Sequence, residues 1–511
     1  MESTSDWPEI LARKDARIAE LEALVKYYEE QFRLFKHRQF GSSSEKSETP
    51  GQLSFFDEVE NTADTGQPEP ELEQIAYTRR KRKGKREDDL SGLPVETIQH
   101  VLPETERVCP ECGGPLRVCG HNIRRELEII PAQVKVVEHE QEVYTCRNCE
   151  KHNEHVPMVK ALMRSPVIKG SLASPSAVAH VMTQKYVMCA PLYRQEQDWK
   201  RQGVSLSRQT MANWVIRCAE DWLEPLYERM RAKLLTREVL HVDETRVQVL
   251  QEPGKTPESN SYMWLYRTSG DTDRHIVLFE YQPGRSGEYP KRFLGNFKGY
   301  LHTDGYAGYH TLSDVKVVGC WVHMRRKFED AYKVAGSGTT AHEAIRRIGA
   351  LFHLEDLWSG MPPDKRHEKR LEESKPLAVA FFVWLETLKV LPKSVLGGAV
   401  YYALSQRPWL MNFYLDGRTE LSNNRAENAV RPFTIGRKNW LFCNSVKGAR
   451  ASSVVYSIIE TAKANGLKPF EYLAFLFETI PNATTSQLDA LLPWGELVPE
   501  RCRMPVKKEV A

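Results

Sequence analysis

The stretch EVLHVDETRVQV, residues 238–249, decides the fold of this chain. It follows a long helix-like region and replaces the helical period with the alternation of apolar and polar residues that is typical of a β-strand. We predict that Asp243 closes the first strand of a sheet, and that Asp304, in LHTDGYAGY (301–309), closes the fourth. A single Asp at a strand end is an ordinary turn residue, whereas open α/β folds bind ligands beyond the carboxyl ends of several strands. Two such aspartates therefore predict a functional site.

The residues around these two motifs predict the rest of the sheet. Apolar segments with strand character follow at SYMWLYRT (261–268), HIVLFEY (275–281) and VKVVGCWVH (315–323). Helix-like segments follow them along the chain, and strands mixed with helices indicate an α/β domain.

A third acid, Glu427, lies in SNNRAENAVRP (422–432). Ser422 or Asn423 can cap a helix there, and spacings of three and four place Asn424, Glu427 and Arg431 on one helix face. Two aspartates and a glutamate supply the hard oxygens that Mg²⁺ prefers, and a pair of ions about 3.5–4 Å apart serves phosphodiester displacement. We predict a nuclease or strand-transfer centre with two Mg²⁺ (or Mn²⁺) ions.

Basic residues surround Glu427. Six of them, against two acids, lie between residues 420 and 450. A solvated helix surface explains one of them alone, but their grouping beside an isolated glutamate favours contact with a polyanion. The candidate DNA contacts here are Arg431, Arg437 and Lys438.

Two CxxC pairs predict a structural zinc site. Cys109 and Cys112 open one knuckle, and Cys146 and Cys149 form the second. Each pair can present two thiolates from one tight turn, and four thiolates close a tetrahedral Zn²⁺ site. The segment LEIIPAQVKVVEHEQEVYTC (127–146) between the pairs predicts two strands of a zinc ribbon. Redox chemistry is the alternative, and the rival ligands are His121, His139, His152 and His155.

Residues 172–235 are helix-like and contain a candidate DNA-reading helix. One helix ends near Lys200, and a second is expected from the N-cap Ser207 to Trp222. Its polar face carries Arg208, Gln209, Thr210 and Asn213, and its apolar face carries Met211, Trp214, Val215 and Cys218. A recognition helix in a helix-turn-helix needs this division, although an ordinary helical hairpin also satisfies it.

The N-terminal part consists of a heptad-like segment and an acidic segment. Residues 9–38 carry a short heptad seam interrupted by Lys14, which fits either self-association or docking on the chain's own core. The apolar seam consists of Leu11, Ile18, Leu21, Val25, Tyr28, Phe32 and Phe35. Residues 41–77 predict a flexible acidic linker.

A basic run follows the acidic linker. The run is either a solvated linker or a site of non-specific DNA binding through counterion release. Its basic residues are Arg79, Arg80, Lys81, Arg82, Lys83, Lys85 and Arg86.

Composition excludes several classes of protein. The chain has 511 residues and a net charge of only +3, so DNA binding must rest on local patches. Its longest apolar run, Leu377 to Leu385, is nine residues, far below the roughly 18 that a membrane span needs. The start MESTSDWPEI has no signal-peptide pattern, which predicts the reducing cytosol.

Several of these motifs together resemble the transposases of the insertion-sequence-66 family. The resemblance is carried by HVDET, LHTDGYAGY, GCWVHMRRKF (319–328) and LSNNRAENAVRPFTIGRKNWLF (421–442). FRLFKHRQFGSSSEK (32–46), CPECGG with CRNC, and LDALLPWGEL (488–497) resemble further family elements. The resemblance implies a ribonuclease-H-like core, a catalytic DDE triad of Asp243, Asp304 and Glu427, and a helical insertion between Asp304 and Glu427. Cys320 and His323 resemble a Cys-x-x-His signature of some DDE transposases. One interpretation is that His323 helps to position a phosphate, and the other is that it is an ordinary core or surface histidine.

The predicted fold is therefore a multidomain α+β chain. The expected segments are a coiled-coil helix (1–40), a linker (41–100), a zinc ribbon (101–160), a helix-turn-helix region (161–235), the core (236–335), its helical insertion (336–420), the core completion (421–475) and a tail (476–511). Asn424, Cys320 and His323 are auxiliary site candidates.

The expected function is a transposase that binds the ends of its element and catalyses strand cleavage and transfer. Expected partners are the terminal inverted repeats, target DNA, further copies of the chain and small accessory proteins, in a bacterial cytosol or on its nucleoid. Two rivals remain open, namely a ribonuclease-H-like nuclease or recombinase without strand transfer, and a zinc-containing DNA-binding regulator.

Overall fold

The structure is a computed structural model that describes residues 133–145 and 158–505, together with isolated positions between 13 and 97. Residues 1–41 and 141–504 group into one compact unit, and residues 42–140 and 505–511 into a second. In the predicted zipper, the described positions are helical, and Ile18, Leu21 and Val25 are exposed. The basic run at 79–86 and the four predicted zinc ligands lie outside the described residues.

The predicted pair of ribbon strands is corrected in part. Residues 133–142 form no regular strand, and their side chains are almost all exposed. Strand β1 (Val143–Thr145) pairs antiparallel with β2 (Met158–Lys160), which lies beyond the segment that we expected to supply both strands. A strand needs a hydrogen-bonding neighbour, and the alternation of residues 133–142 does not by itself provide one.

Four helices follow, as the helical period of residues 172–235 predicts. They are α1 (Pro175–Tyr186), α2 (Leu192–Arg201), α3 (Arg208–Cys218) and α4 (Glu224–Leu234). Ser207 caps α3, since its side chain accepts a hydrogen bond from the Thr210 N–H at 3.1 Å. The predicted end at Trp222 is wrong: a π-helical turn, Ala219–Leu223, joins α3 directly to α4.

A sheet with both antiparallel and parallel strands belongs to the larger unit. Its strands are β3 (Val239–Gln251), β4 (Asn260–Thr268), β5 (Val277–Gln282), β6 (Tyr300–Thr303) and β7 (Lys316–Gly319), with helix α5 (Glu288–Leu294) between β5 and β6. The spatial order is β5-β4-β3-β6-β7. The pairings β5-β4 and β4-β3 are antiparallel, whereas β3-β6 and β6-β7 are parallel.

The position predicted for Asp243 is wrong in one respect. Asp243 does not close its strand, because β3 pairs with β4 from Leu240 as far as Gln248. Strand β3 is continuous through Asp243, because its pairing with β4 keeps it extended beyond that residue. The parallel pairing with β6 ends at His241, so Asp243 lies just beyond the end of that parallel neighbour.

The insertion is helical and packs with the helix that precedes it. After β7 come α6 (Trp321–Ala335), α7 (Thr340–Leu357), α8 (Pro363–Lys369), a π-helical turn, α9 (Lys375–Thr387) and α10 (Val395–Met411). Trp321, Met324 and Phe328 of α6 share a second hydrophobic core with Phe381 and Phe382 of α9. The insertion therefore holds α6, which borders the site, in place.

Helix α11 (Asn424–Trp440) leads through the short strand β8 (Cys443–Ser445) to α12 (Val446–Ala464) and α13 (Pro469–Thr479), and β8 pairs in parallel with the far end of β3. Helix α13 runs through the boundary that we expected between residues 475 and 476.

Side chains of α12 cover the outer edge of β5: Thr461 Oγ1 accepts from the Val277 N–H at 3.0 Å, and Ser457 Oγ accepts from the Phe279 N–H at 2.7 Å. These bonds satisfy an edge that would otherwise be open to another strand.

None of the helices in the described residues combines the length and the apolar character that crossing a membrane requires.

Candidate active site

Asp243 and Asp304 occupy matching positions just beyond the paired part of two neighbouring parallel strands, β3 and β6. The last paired residues of β3 and β6 are His241 and His302, and each aspartate comes two residues later. Residues two apart point to the same face of a sheet, and neighbouring strands lie about 4.8 Å apart. Strand pairing therefore brings together two carboxylates that are 61 residues apart in sequence.

The main chain orients both carboxylates. The Glu244 N–H donates to Asp243 Oδ1 at 2.8 Å, and the Tyr306 N–H donates to Asp304 Oδ1 at 2.9 Å. The second bond requires the turn at Gly305, whose φ of +96° suits glycine. A Cβ at Gly305 would also lie 2.8 Å from the hydroxyl of Tyr402, which donates to the Asp304 carbonyl. Any other residue at 305 would disturb the position of Asp304.

Glu427, on the first turn of α11, faces two basic side chains of α6. Its Oε1 lies 3.6 Å from His323 Nδ1, and its Oε2 lies 3.4 Å from Arg326 Nη2. Glu427 Oε1 is buried and has no hydrogen-bond partner within the described part of the chain. An unpaired buried carboxylate oxygen is costly, so this atom is suited to a bound cation.

The electrostatics of the site favour a cation. Burial, reinforced by the negative charges of Glu244, Asp304 and Glu427, raises the pKa of Asp243 well above its usual value. Burial lowers the pKa of His323 despite the opposing effect of Glu427, so its imidazole is biased toward the neutral form. Carboxylates that share a site repel one another, and a divalent ion removes that repulsion.

Glu244 is a site residue that we did not predict. Its side chain is buried, accepts a hydrogen bond from Arg285 Nε at 2.7 Å, and accepts another from the Tyr309 hydroxyl at 2.5 Å. Because Tyr309 ends the DGYAGY motif, this contact ties the loop of Asp304 to β3. The adjacency of Glu244 to Asp243 was the available signal, but an acid next to an acid does not show which one faces the site.

A buried polar layer lies beneath the aspartates. The rings of His241 and His302 are fully buried and stacked, with centroids 4.3 Å apart. Burial lowers the pKa of His241 to about 3 and that of His302 well below its usual value, so both rings are neutral. Asn423 joins this layer by a 3.0 Å hydrogen bond to His241 Nδ1.

The structure separates the two neighbouring asparagines. Asn424, which we predicted on the same face as Glu427, is exposed at the first position of α11, whereas Asn423 is fully buried. Asn423, one of the two residues that we expected to cap this helix, is the N-cap residue, but its side chain makes no capping bond. It contacts β3 instead.

Cys320, His323 and Glu427 bring three potential ligand atoms within 4.8 Å of one another, the one such set in the described residues. The carboxylate oxygens of Asp243, Asp304 and Glu427 therefore do not all lie within 4.8 Å of one another. Burial raises the pKa of the Cys320 thiol to about 11, and its sulfur accepts from the Asn423 N–H at 3.2 Å. In this structure the Cys320 sulfur therefore forms a hydrogen bond to the residue that precedes α11.

The predicted DNA-contacting residues fall into different environments. Arg208, Gln209 and Asn213 are exposed on α3, while Met211, Trp214, Val215 and Cys218 are buried on its other face, which matches the predicted division. On α11, Lys438 is exposed and Arg431 is half-buried. The Arg437 guanidinium donates to Thr245 Oγ1 at 3.0 Å and to the Arg246 carbonyl, so it supports β3 from within the protein.

Comparison with known proteins covers most of the chain. The model of the transposase IS66 (insertion sequence 66) family matches residues 170–451, and that of the IS66 C-terminal element matches 457–494. A zinc-finger binding domain of transposase IS66 matches residues 106–150, which include all four predicted zinc cysteines. The model described as Transposase C of IS166 homeodomain matches 27–98, where we had expected the end of a zipper and a linker.

Two relatives from Sinorhizobium fredii are similar over much of their length. The uncharacterized protein y4qI is 31% identical over 95% of this chain and 93% of its own. The uncharacterized protein y4jD is 30% identical over 77% of this chain and 79% of its own. The family matches extend from the N-terminal region to the C-terminal element and include the segments that carry Asp243, Asp304 and Glu427. The chain therefore belongs to the IS66 transposase family.

Proposed function

We propose that this protein is a DNA transposase that cleaves and joins strands at the ends of its element through Asp243, Asp304 and Glu427. Membership of a transposase family supports a DNA-cleaving role. The observation that carries the assignment to these residues is the matching position of Asp243 on β3 and of Asp304 directly after the neighbouring parallel strand β6, with Glu427 close enough to raise the pKa of Asp243.

The core is proposed to be ribonuclease-H-like. Three antiparallel strands, β5-β4-β3, continue into the parallel strands β6 and β7. Asp243 lies on the central strand β3, Asp304 follows its parallel neighbour β6, and Glu427 lies on α11, which packs on β3. We propose that the three carboxylates share one site where the antiparallel and parallel strands meet at β3.

The residues present fit a divalent cation, since the buried Glu427 Oε1 has no hydrogen-bond partner in the described structure and Asp243 lies among other acids. Asp243, Asp304 and Glu427 would hold two Mg²⁺ or Mn²⁺ ions. When bound, such ions activate the attacking oxygen and stabilise the leaving oxygen of the phosphodiester.

The protein's own groups orient the carboxylates. The N–H groups of Glu244 and Tyr306 hold one oxygen of each aspartate, so that each carboxylate is directed by the main chain. His323 and Arg326 lie on the α6 side of Glu427, where a phosphate of bound DNA would find a hydrogen-bond donor and a positive charge. We propose this as their role.

The remaining parts are proposed from the sequence. Cys109, Cys112, Cys146 and Cys149 bind one structural Zn²⁺, which the zinc-finger match supports. Arg208, Gln209 and Asn213 read the element's ends, and their exposure on α3 is consistent with that role. We also propose a homo-oligomer that acts with small accessory proteins in the bacterial cytosol.

The test is cleavage of a duplex that contains one element end in Mg²⁺ or Mn²⁺, followed by transfer of the cut strand to target DNA. Asp304→Asn and Glu427→Gln should each keep DNA binding and lose cleavage, whereas the exposed Asp314→Asn should behave like wild type. Wild-type cleavage by either site variant contradicts that residue's role. Cleavage without joined products favours a nuclease without strand transfer.

A further inference from the structure

We propose that Asn423 is a positioning residue that sets the distance between Asp243 and Glu427. The inference rests on the proposed function, in which those two acids share metal ions. Asn423 is fully buried and has no direct access to DNA or metal. It acts instead through hydrogen bonds to the segments that carry the acids.

The side chain of Asn423 is bound to β3 next to Asp243. Its Nδ2 donates to the Val242 carbonyl at 2.7 Å, and its Oδ1 lies 3.0 Å from His241 Nδ1. The orientation of the amide follows from these partners, because reversing it would place Oδ1 against the carbonyl oxygen of Val242. With Oδ1 facing the ring, the Nδ1–H of His241 donates this hydrogen bond.

The backbone of Asn423 is bound to the other side of the site. Its carbonyl accepts from the N–H of Ala426 at 3.0 Å and from the N–H of Glu427 itself at 3.2 Å. Its own N–H donates to Cys320 Sγ at 3.2 Å, at the start of the helix that carries His323. One residue thus connects the strand of Asp243, the helix of Glu427 and the helix of His323.

Asparagine is suited to this position because it carries a donor and an acceptor on one short planar group. Aspartate keeps the bond to His241 but loses the donor to Val242 and places an acceptor against a carbonyl. Alanine loses both bonds and leaves the Val242 carbonyl and the His241 N–H unpaired. In either case β3 and α11 can shift relative to each other, and the spacing of the metal ligands changes.

The experiment is a titration of the full-length, DNA-free protein with Mn²⁺. The free ion is measured by its electron paramagnetic resonance signal. Asn423→Ala and Asn423→Asp should each weaken Mn²⁺ binding by about tenfold or more, the usual effect of removing a residue that supports metal ligands. Both should also raise the Mg²⁺ concentration needed for half-maximal cleavage. Asn428→Ala, an exposed asparagine on the same helix, is the matched control and should match wild type.

The outcomes separate the two proposals. If wild type binds Mn²⁺ and Asp243→Asn does not, the metal site stands, and an Asn423→Asp protein with wild-type Mn²⁺ affinity then overturns the positioning role alone. If wild type and Asp243→Asn bind Mn²⁺ equally, the proposed metal site is wrong and the inference falls with it. Asn423→Asp is the deciding variant where Asn423→Ala does not fold, because it preserves the volume of the side chain.

Discussion

Replacing Asp243 by Asn should stabilise the metal-free protein and abolish its activity. Asp243 is half-buried, and its ionised form is opposed by burial and by the charges of Glu244, Asp304 and Glu427. Asparagine has nearly the same shape, can still accept the hydrogen bond from the Glu244 N–H and carries no charge. The substitution therefore relieves repulsion while keeping the local geometry.

The size of the effect follows from the strand spacing. Two unit charges about 5 Å apart in an effective dielectric of about 20 repel by roughly 3 kcal/mol. Partial exposure of the carboxylates screens this, so we expect about 1–2 kcal/mol and a melting temperature raised by about 2–4 °C. With metal bound, wild type should instead be more stable than Asp243→Asn, because an ion at about one hundred times its dissociation constant stabilises wild type by about 2.7 kcal/mol.

The assay is thermal melting of wild type, Asp243→Asn and the exposed control Asp314→Asn, with a metal chelator and with excess Mn²⁺. The pH dependence has a definite sign. Because the folded-state pKa of Asp243 is raised, its ionised form destabilises the protein above that pKa, and this cost is lost as the pH falls through it. The advantage of Asp243→Asn in chelator should therefore shrink on acidification.

Three results would refute the reasoning. The first is a melting temperature of Asp243→Asn at or below that of wild type in chelator at neutral pH, which would mean that the acids do not repel. The second is an absence of any stabilisation of wild type by Mn²⁺, which would mean that the acids do not share a metal. A rise of the same size in Asp314→Asn would show that the effect is unrelated to the site.

Further predictions concern the zinc site, the reading helix and the arginine beside Glu427. Freshly purified folded protein should contain about one zinc per chain, and less than half of that counts against the site; the metal should be lost when serine replaces Cys109, Cys112, Cys146 and Cys149. Alanine substitutions on α3 should abolish the preference for the element's end over unrelated duplex and keep the general affinity for DNA, since base contacts specify and phosphate contacts position. The substituted residues are Arg208, Gln209 and Asn213. In DNA-free protein, Arg326→Gln should tighten Mn²⁺ binding by roughly two- to fivefold, because a partly exposed ion pair worth up to about 1 kcal/mol no longer competes for Glu427. The matched control is Arg325→Gln, whose arginine pairs with Glu329 instead, and an equal change in both variants would contradict the competition.

Local patterns in the sequence were sufficient for several features. The cap at Ser207 and the two faces of α3 depend on residues within a few positions of one another, and the structure has both. The helical character of the insertion and the position of Glu427 on the first turn of α11 were predictable for the same reason. The oxygen chemistry of Asp243, Asp304 and Glu427 is likewise a property of the residues themselves.

Other features depend on partners far along the chain. The alternation around Asp243 cannot show that β3 continues past it, because pairing with β4 keeps the strand extended beyond that residue. The matching positions of Asp243 and Asp304 exist only once β3 and β6 are paired.

The difference between Asn423 and Asn424 shows why tertiary structure was needed. Two identical neighbouring residues have the same intrinsic preferences, and a helical period placed Asn424 with Glu427. Only the approach of β3 buries Asn423 and supplies the Val242 carbonyl and the His241 ring as hydrogen-bond partners. The types of the reactive groups are local properties of the sequence, whereas their distances and partners arise from strand pairing and helix packing between residues up to about 180 positions apart.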